Sequence, residues 1–414
     1  MNIGLMQFID YWLGIPCCFI CSLWSRLQRA ARPQYGIPIQ KILFIELSEM
    51  GSSILAYPAM IKAREKFGAE LYFLIFERNR ESVDLLEVIP QSHVITIRDE
   101  NLILFLISFA RALLRIRSLR IDSVIDMELF SRCTALISFL SGAVRKAGYH
   151  RYTWEGLYRG SFWTHPVLYN PHIHMSENFL ALVGALGQSE PALPMLKENV
   201  SADVIPLPSL QFSSEHRSSL VKLLKELSPD LKECDPLVIL NPDPGLLSLR
   251  GWPLSRFSEF CRKLAAAFPR ARFVVVGLKR TAGYVAEIRE GLPEAAFIDF
   301  TGRTASLAEL SVLLSLGAVF LTNDSGPAHL ASLTPIKSFV LFGPETPKLY
   351  GPLGKNATCF HAGLACSPCY AATNHRRTVC TDNKCLQAIS VDEVFNAVHA
   401  TLMEWSEKQL ENLS

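Results

Sequence analysis

The chain has 414 residues, 49% of them hydrophobic and 19% charged, with 41 Lys and Arg against 39 Asp and Glu. That is too long for one ordinary hydrophobic core and too apolar for disorder, so two domains are expected. The formal charge of +2 at pH 7 excludes the broad basic footprint of a nucleic-acid binder, and any phosphate chemistry must be local.

The mean hydropathy of +0.21 is partly concentrated at the start of the chain. From Leu5 to Trp24 the only charge is Asp10, and Arg26, Arg29 and Arg32 follow. The run approaches the roughly 20 residues that span a bilayer, yet Gly14-Ile15-Pro16 interrupts it. Three readings stand: a monotopic or re-entrant anchor, a buried structural helix pair, and a true span. The charge and cleavage pattern of a secretory signal is not evident.

Lys41–Glu46 is a short apolar strand, followed by the turn Ser48-Glu49-Met50-Gly51 and a helical stretch from Ser52 to Phe67 that Gly68 ends. Strands at Leu71–Phe76 and Val94–Ile97 flank a short helix around Asp84–Leu86. Leu102–Leu119 is a very apolar helix with Arg111, Arg115, Arg117 and Arg120 towards its C-terminal end, either buried or lying on an anionic surface. Ser123–Asp126 closes this half. Prolines 191, 194, 206 and 208 and a charged helix over Ser213–Leu227 mark a boundary. Strands then recur at Val238–Leu240, Phe273–Gly277, Ala296–Asp299, Val319–Leu321 and Ser338–Phe342, with helical stretches between them. This is α/β alternation in two tandem domains, without a dinucleotide-type glycine fingerprint after the first strand. The expected division is an apolar membrane-associating segment (1–38), an N-terminal domain (39–190), a linker (191–235) and a C-terminal domain (236–414) containing a cysteine-rich loop (366–385).

In open parallel sheets ligands sit beyond the C-terminal strand ends. Asn323-Asp324-Ser325-Gly326-Pro327-Ala328-His329 follows one such strand. Ser325 suits an N-cap, Gly326 permits close approach, Pro327 suits an early helical position, and the helix start suits a diphosphate. Asp324 is placed for sugar hydroxyls, with His329 one turn on. Taken alone, the same residues also make a good turn and cap. The loop from Asn241 to Gly245 leads to Arg250-Gly251-Trp252-Pro253, whose arginine is either a cation for a leaving phosphate or merely solvated. The first turn offers Gly51, the hydroxyls of Ser48, Ser52 and Ser53, and Glu49 as proton acceptor or helix-start acid. Cys366, Cys369, Cys380 and Cys385 form C-x2-C-x10-C-x4-C, read as a zinc or iron–sulfur site, as disulfides or redox thiols, or as unligated thiols.

Together these stretches resemble glycosyltransferase family 9, the bacterial lipopolysaccharide heptosyltransferases, from Lys41 to about Leu402. The matching elements are Gly51 to Pro58, Arg250 to Pro253, Thr301-Gly302-Arg303-Thr304 with Leu307 to Leu310, Asn323 to His329, and Phe342 to Pro347. The resemblance implies a GT-B fold: α/β, with two Rossmann-like parallel-sheet domains facing a cleft, here with an apolar N-terminal extension. The donor is then held mainly by the C-terminal domain and the acceptor by the N-terminal one. It further implies inverting transfer that needs no metal, from a nucleotide sugar, ADP-heptose favoured, to a lipopolysaccharide-type or lipid-linked acceptor. With no divalent ion the departing diphosphate is met by Arg250 and the Ser325-Gly326-Pro327 amides, while Asp324 orients the sugar. The implied location is the cytoplasmic face of the bacterial inner membrane, with peripheral or monotopic contact.

Three departures matter. The family carries an aspartate after the first-turn glycine as presumed base, and Ser52 stands there, so that either Glu49 takes the role, or the base lies elsewhere, or the chain does not catalyse transfer. Arg250 replaces the usual lysine and would grip phosphate bidentately. The segment before Lys41 is an extension. A catalytically silent scaffold that binds nucleotide sugar or glycolipid, and a GT-B-type epimerase or hydrolase, are the other readings.

Overall fold

The structure is a computed structural model that describes residues 3–28, 38–129, 131–150, 158–188, 196–200, 205–245, 247–371 and 377–413. Two six-stranded sheets carry it. In the first, β1 (Lys41–Ile45), β2 (Glu70–Phe76), β3 (Val94–Ile97), β4 (Ser123–Asp126), β5 (Arg145–Tyr149) and β6 (His165–Val167) lie in the order β3-β2-β1-β4-β5-β6. The second holds β7 (Leu237–Asn241), β8 (Arg272–Val275), β9 (Phe297–Asp299), β10 (Val319–Asn323), β11 (Lys337–Phe342) and β12 (Ala357–His361), in the order β12-β11-β10-β7-β8-β9. All pairings are parallel. Counted within each sheet the order is 3-2-1-4-5-6, the doubly wound arrangement whose order reverses between the first and fourth strands. The chain divides into two compact units at Pro206/Leu207.

The central strands are apolar on both faces because helices cover both sides. β1 is buried from Ile42 to Ile45, and β10 along its whole length. In the C-terminal unit Trp252, Phe257, Phe260 and Phe273 share one cluster with Val394, Val398 and Leu402 of the last helix. Each such side chain contributes about 1.5–3 kcal/mol on burial.

Three expectations need correction. The stretch from Ser52 to Phe67 is two helices, Met50–Leu55 and Tyr57–Phe67. Pro58 has no N–H to continue the first and sits in the opening turn of the second. β4 does not close the N-terminal half, since the helix Arg132–Leu140, β5 and β6 follow. β12 extends the second sheet beyond Phe342. β5 and β6 lack an apolar run for packing reasons: a Cβ on Gly148 would lie 2.4 Å from the ring of Trp163.

The N-terminal segment is a helix pair, Ile3–Trp12 and Gly14–Gln28, broken at Leu13. Arg29 and Arg32 lie outside the described residues. Among the described residues Phe8–Leu27 is the 20-residue stretch long and apolar enough to cross a membrane. It is nevertheless built onto the N-terminal unit. Asp10 accepts hydrogen bonds from the backbone N–H of Arg132 (2.8 Å) and Cys133 (2.9 Å), and its other oxygen pairs with the Arg132 guanidinium at 3.1 Å. It therefore satisfies the N-terminus of the helix Arg132–Leu140 in trans. Gly14, Cys18 and Ser22, spaced one helical turn apart, are the buried positions of the second helix. A Cβ on Gly14 would lie 2.7 Å from the Arg132 Cβ. Ser22 Oγ accepts from the Ser161 N–H at 2.7 Å. Replacing Asp10 by Ala is expected to destabilise the N-terminal unit by about 1.5–3 kcal/mol, the worth of hydrogen bonds to a charged group. Urea unfolding measures it, and an unchanged midpoint would contradict the docking role.

Candidate functional site

The reversal point of the second sheet lies between β7 and β10, where its two adjoining strand ends carry asparagines. Asn241, ending β7, donates through Nδ2 to Thr322 Oγ1 (3.1 Å) and Ser325 Oγ (3.2 Å). Asn323, ending β10, accepts the Trp252 N–H through Oδ1 at 2.9 Å and donates to the Pro242 carbonyl at 2.9 Å. These bonds join the 241–253 loop to the Asp324 turn. Ser325 takes the extended N-cap conformation, but its side chain does not cap the helix Gly326–Ala331, because its hydroxyl is used in the asparagine network. Gly326 opens that helix, Pro327 occupies its first turn, and His329 is buried on it.

The network delivers Arg250. Its Nε lies 3.6 Å from Asp324 Oδ2, and its Nη2 lies 3.7 Å from Glu345 Oε1. The guanidinium carbon stands 5.3 Å from the centre of the Tyr370 ring. Glu345 is 1% exposed and Asp324 5%, and among the described residues both Glu345 oxygens and Asp324 Oδ2 are buried with no hydrogen-bond partner. Two buried acids thus face one cation. Burial pushes Asp324 above its usual range against the pull of Arg250, and pushes Glu345 well above it, with Asp324 adding to the rise. Both carboxyls are thus biased towards the protonated form, and Arg250, near equidistant from them, opposes this at each.

The cysteine-rich segment braces this arginine from two sides. The N–H groups of Cys369 and Tyr370 both donate to the Pro344 carbonyl, at 2.9 and 3.0 Å, which sets the Tyr370 ring beside Arg250. Asn383 Nδ2 donates to the carbonyls of Leu249 (3.2 Å) and Gly251 (2.7 Å), on either side of Arg250 in sequence. The metal expectation is not met by this geometry. Among the described residues no group of three or more His, Cys, Asp or Glu side chains could hold a metal ion. Cys366 is exposed, Cys369 and Cys380 are partly buried, and Cys385 is buried, all four unbridged. The Cys380 thiol donates to the Asp382 carbonyl at 3.1 Å. Burial pushes the Cys385 thiol up, against the pull of a backbone hydrogen bond at Leu386. Residues 372–376 of the loop lie outside the described residues.

In the first sheet the reversal point lies between β1 and β4. Glu128 Oε1 accepts from the N–H groups of Leu47 (3.0 Å) and Ser48 (3.2 Å) and from Ser48 Oγ (2.9 Å). Asn79 holds the Leu47 and Ser48 carbonyls from the other side. On this fixed turn Glu49 is the N-cap of the helix Met50–Leu55 yet makes no cap bond; its Oε2 accepts from Ser52 Oγ at 3.1 Å. Gly51 is buried in the same helix. The residue at the expected base position therefore serves as a hydrogen-bond donor to Glu49. Below them Asp126 ends β4 fully buried, paired with Arg159 Nη2 at 2.5 Å. Burial pushes Asp126 up to about 6 against the pull of Arg159.

Sequence reasoning missed Glu345, Tyr370 and Asn383 at the C-terminal site and Glu128 and Asp126 at the N-terminal one. The Phe342–Pro347 element did mark the neighbourhood of Glu345.

The sequence profile described as Glycosyltransferase family 9 (heptosyltransferase) matches residues 203–379. A lipooligosaccharide heptosyltransferase 2 of Campylobacter jejuni subsp. jejuni serotype O:6 is 26% identical over 172 residues, covering 41% of this chain and 52% of that protein. The chain spans about half the length of the curated relatives it matches. A family 9 glycosyltransferase from Veillonella parvula shares the fold at a TM-score of 0.68, with 18% identity over 90% of this chain and 100% of that one. The E. coli ADP-heptose lipopolysaccharide heptosyltransferase II does so at 0.65, with 18% identity over 88% and 99%. The GT-B-like α/β fold is thereby shared.

Because a proton is held more tightly by Glu345 in the folded state, its contribution to stability is complete below the usual carboxylate range and is lost as pH rises through the raised value. Wild-type stability should carry this downward slope, up to about 1.4 kcal/mol per pH unit, and Glu345→Gln should remove it. Urea midpoints across pH for both proteins measure the difference; parallel profiles would contradict the assignment.

Proposed function

We propose that this glycosyltransferase family 9-like chain is an inverting, metal-independent transferase that moves a sugar, heptose favoured, from an ADP-sugar to a lipopolysaccharide-type or lipid-linked acceptor. The observation that carries the reading is the arginine at the reversal point of the second sheet, positioned by Asn241, Asn323 and Asn383 and facing two buried carboxyls. An arginine held there is set to meet a diphosphate beyond the strand ends. The donor class follows the names of the C. jejuni relative and the E. coli fold neighbour.

In this mechanism Glu49 takes the proton from the acceptor hydroxyl, whose oxygen forms the new bond at the anomeric carbon as the bond to ADP breaks. Ser52 orients Glu49 through its hydrogen bond. Arg250 moves from its carboxylate partners to the diphosphate as charge develops on it, doing the work that a divalent ion does elsewhere. Donor entry therefore exchanges one ion pair for another, and the release of Asp324 from Arg250 frees a carboxylate for the sugar hydroxyls. The cysteine segment acts through Tyr370 and Asn383 as a brace for the arginine loop.

A scaffold that binds the donor without transfer is the second reading, favoured by the serine at the position where relatives carry the presumed base. Steady-state transfer with ADP-heptose and a heptose-deficient lipopolysaccharide acceptor, in EDTA, separates the two. Glu49→Gln should lower kcat by about 10²–10⁴-fold with donor KM little changed, and Ser52→Ala, which removes only the group that orients Glu49, should lower kcat by less. Unchanged turnover in Glu49→Gln removes the base assignment. Donor binding without transfer in the wild type establishes the scaffold.

A further inference from the structure

We infer that the N-terminal helix pair and the helix Leu102–Ser118 form one platform that rests in the surface of an anionic phospholipid bilayer, with the helix pair lying in the membrane plane and not crossing it. The inference goes beyond the transfer reaction and stands on the N-terminal unit alone.

The doubly wound order places the helix after β3 and the helix after β4 on the same side of the sheet, given right-handed crossovers. Both supply the same core: Ala112 and Ile116 from Leu102–Ser118, and Ile137 from Arg132–Leu140. Met6 of the first N-terminal helix packs against that cluster, as do Phe105 and Phe109. The N-terminal pair covers Arg132–Leu140, so its outward face and that of Leu102–Ser118 belong to one side of the unit.

That side is apolar. Trp12, Phe19, Ile20, Trp24 and Leu27 each expose more than half of their surface. Ile103, Leu106 and Leu114 do the same on the neighbouring helix, where spacings of three and eight residues keep them on one face. Apolar side chains exposed in this number on one side of a unit call for an occupant. Its charge says which. The only acid of the helix pair is Asp10, which is turned inward onto Arg132, and Leu102–Ser118 holds none. Arg26, Arg111, Arg115 and Arg117 are exposed around the patch. Arg115 and Arg117 donate to the carbonyls of Ser92 and Leu140, which leaves their charge intact. Apolar residues and tryptophans rimmed by arginine match lipid tails beneath anionic headgroups.

The in-plane orientation follows from the opposite face. Gly14, Cys18 and Ser22 are buried against the protein, and Asp10 and Ser22 are hydrogen-bonded to it. A spanning helix would have to surrender those contacts and present Asp10 to hydrocarbon.

Flotation of the full chain with phosphatidylglycerol/phosphatidylcholine vesicles, and with phosphatidylcholine alone, tests this without any donor. Its failure would therefore leave the transferase reading standing. The protein should float with the anionic vesicles and be released by salt. Phe19→Ser/Trp24→Ser should lower partitioning at least tenfold, as should Ile103→Ser/Leu114→Ser on the body of the unit, should the first variant not fold. Arg111→Ala should lower it about fivefold, the factor for about 1 kcal/mol per basic residue near such a surface. Tryptophan fluorescence should be quenched more by lipids labelled near the headgroup than by lipids labelled at the chain ends. Three results would each overturn the inference: absence of flotation, stronger quenching from the bilayer centre, or a solution dimer that the same serine substitutions dissolve while vesicle binding is missing.

Discussion

The C-terminal unit is organised around a mismatch of charge: one arginine faces two buried carboxyls. In a medium of low polarity one cation stabilises one carboxylate well and two poorly. Burial accordingly biases both Asp324 and Glu345 towards the neutral form, and Arg250 opposes it at each. Such a pair is costly to bury and easy to rearrange, because its desolvation has already been met by the fold. An incoming diphosphate then competes for a guanidinium whose position is set but whose partners are replaceable. The asparagines at the ends of β7 and β10, Tyr370 and Asn383 hold the loop still while the partners change.

The N-terminal unit uses the same economy at its own reversal point. Glu128 gathers two backbone N–H groups and a hydroxyl, which fixes the first turn without a glycine-rich cradle. The Glu49 side chain makes no cap hydrogen bond and accepts one from Ser52. The helix pair added before β1 is joined by a different device, a carboxylate that caps a neighbouring helix and small residues that let two backbones approach. Phe19, Ile20, Trp24 and Leu27 of the second helix are consequently left exposed.

Strands with continuous apolar runs were legible in the sequence, because burial on both faces demands them: Lys41–Glu46 and Ser338–Phe342 are plain. β5 and β6 were not, since Arg145, Lys146, Gly148 and Pro166 answer to particular neighbours, Gly148 making room for Trp163. The edge strand β12 is only half buried and left a weak pattern. At the site, strand-end turns announced themselves through asparagine, glycine and proline, and Arg250, Asp324 and Glu49 became candidates that way. Glu345 is a single acid in a turn, and only the fold brings it to Arg250. In the cysteine-rich segment the thiols drew attention, whereas the contacts to the arginine loop come from a tyrosine and an asparagine whose roles depend on tertiary placement.

The account stands on Arg250 being the group that receives the diphosphate. Calorimetric titration of ADP into the full chain in EDTA, for the wild type and for Arg250→Ala, measures this directly. The account predicts binding without a divalent ion and a loss of about 10–150-fold in affinity in the variant, the worth of about 1.5–3 kcal/mol for charge-assisted hydrogen bonds. Equal affinity for the two proteins, or binding that needs added magnesium, would contradict it.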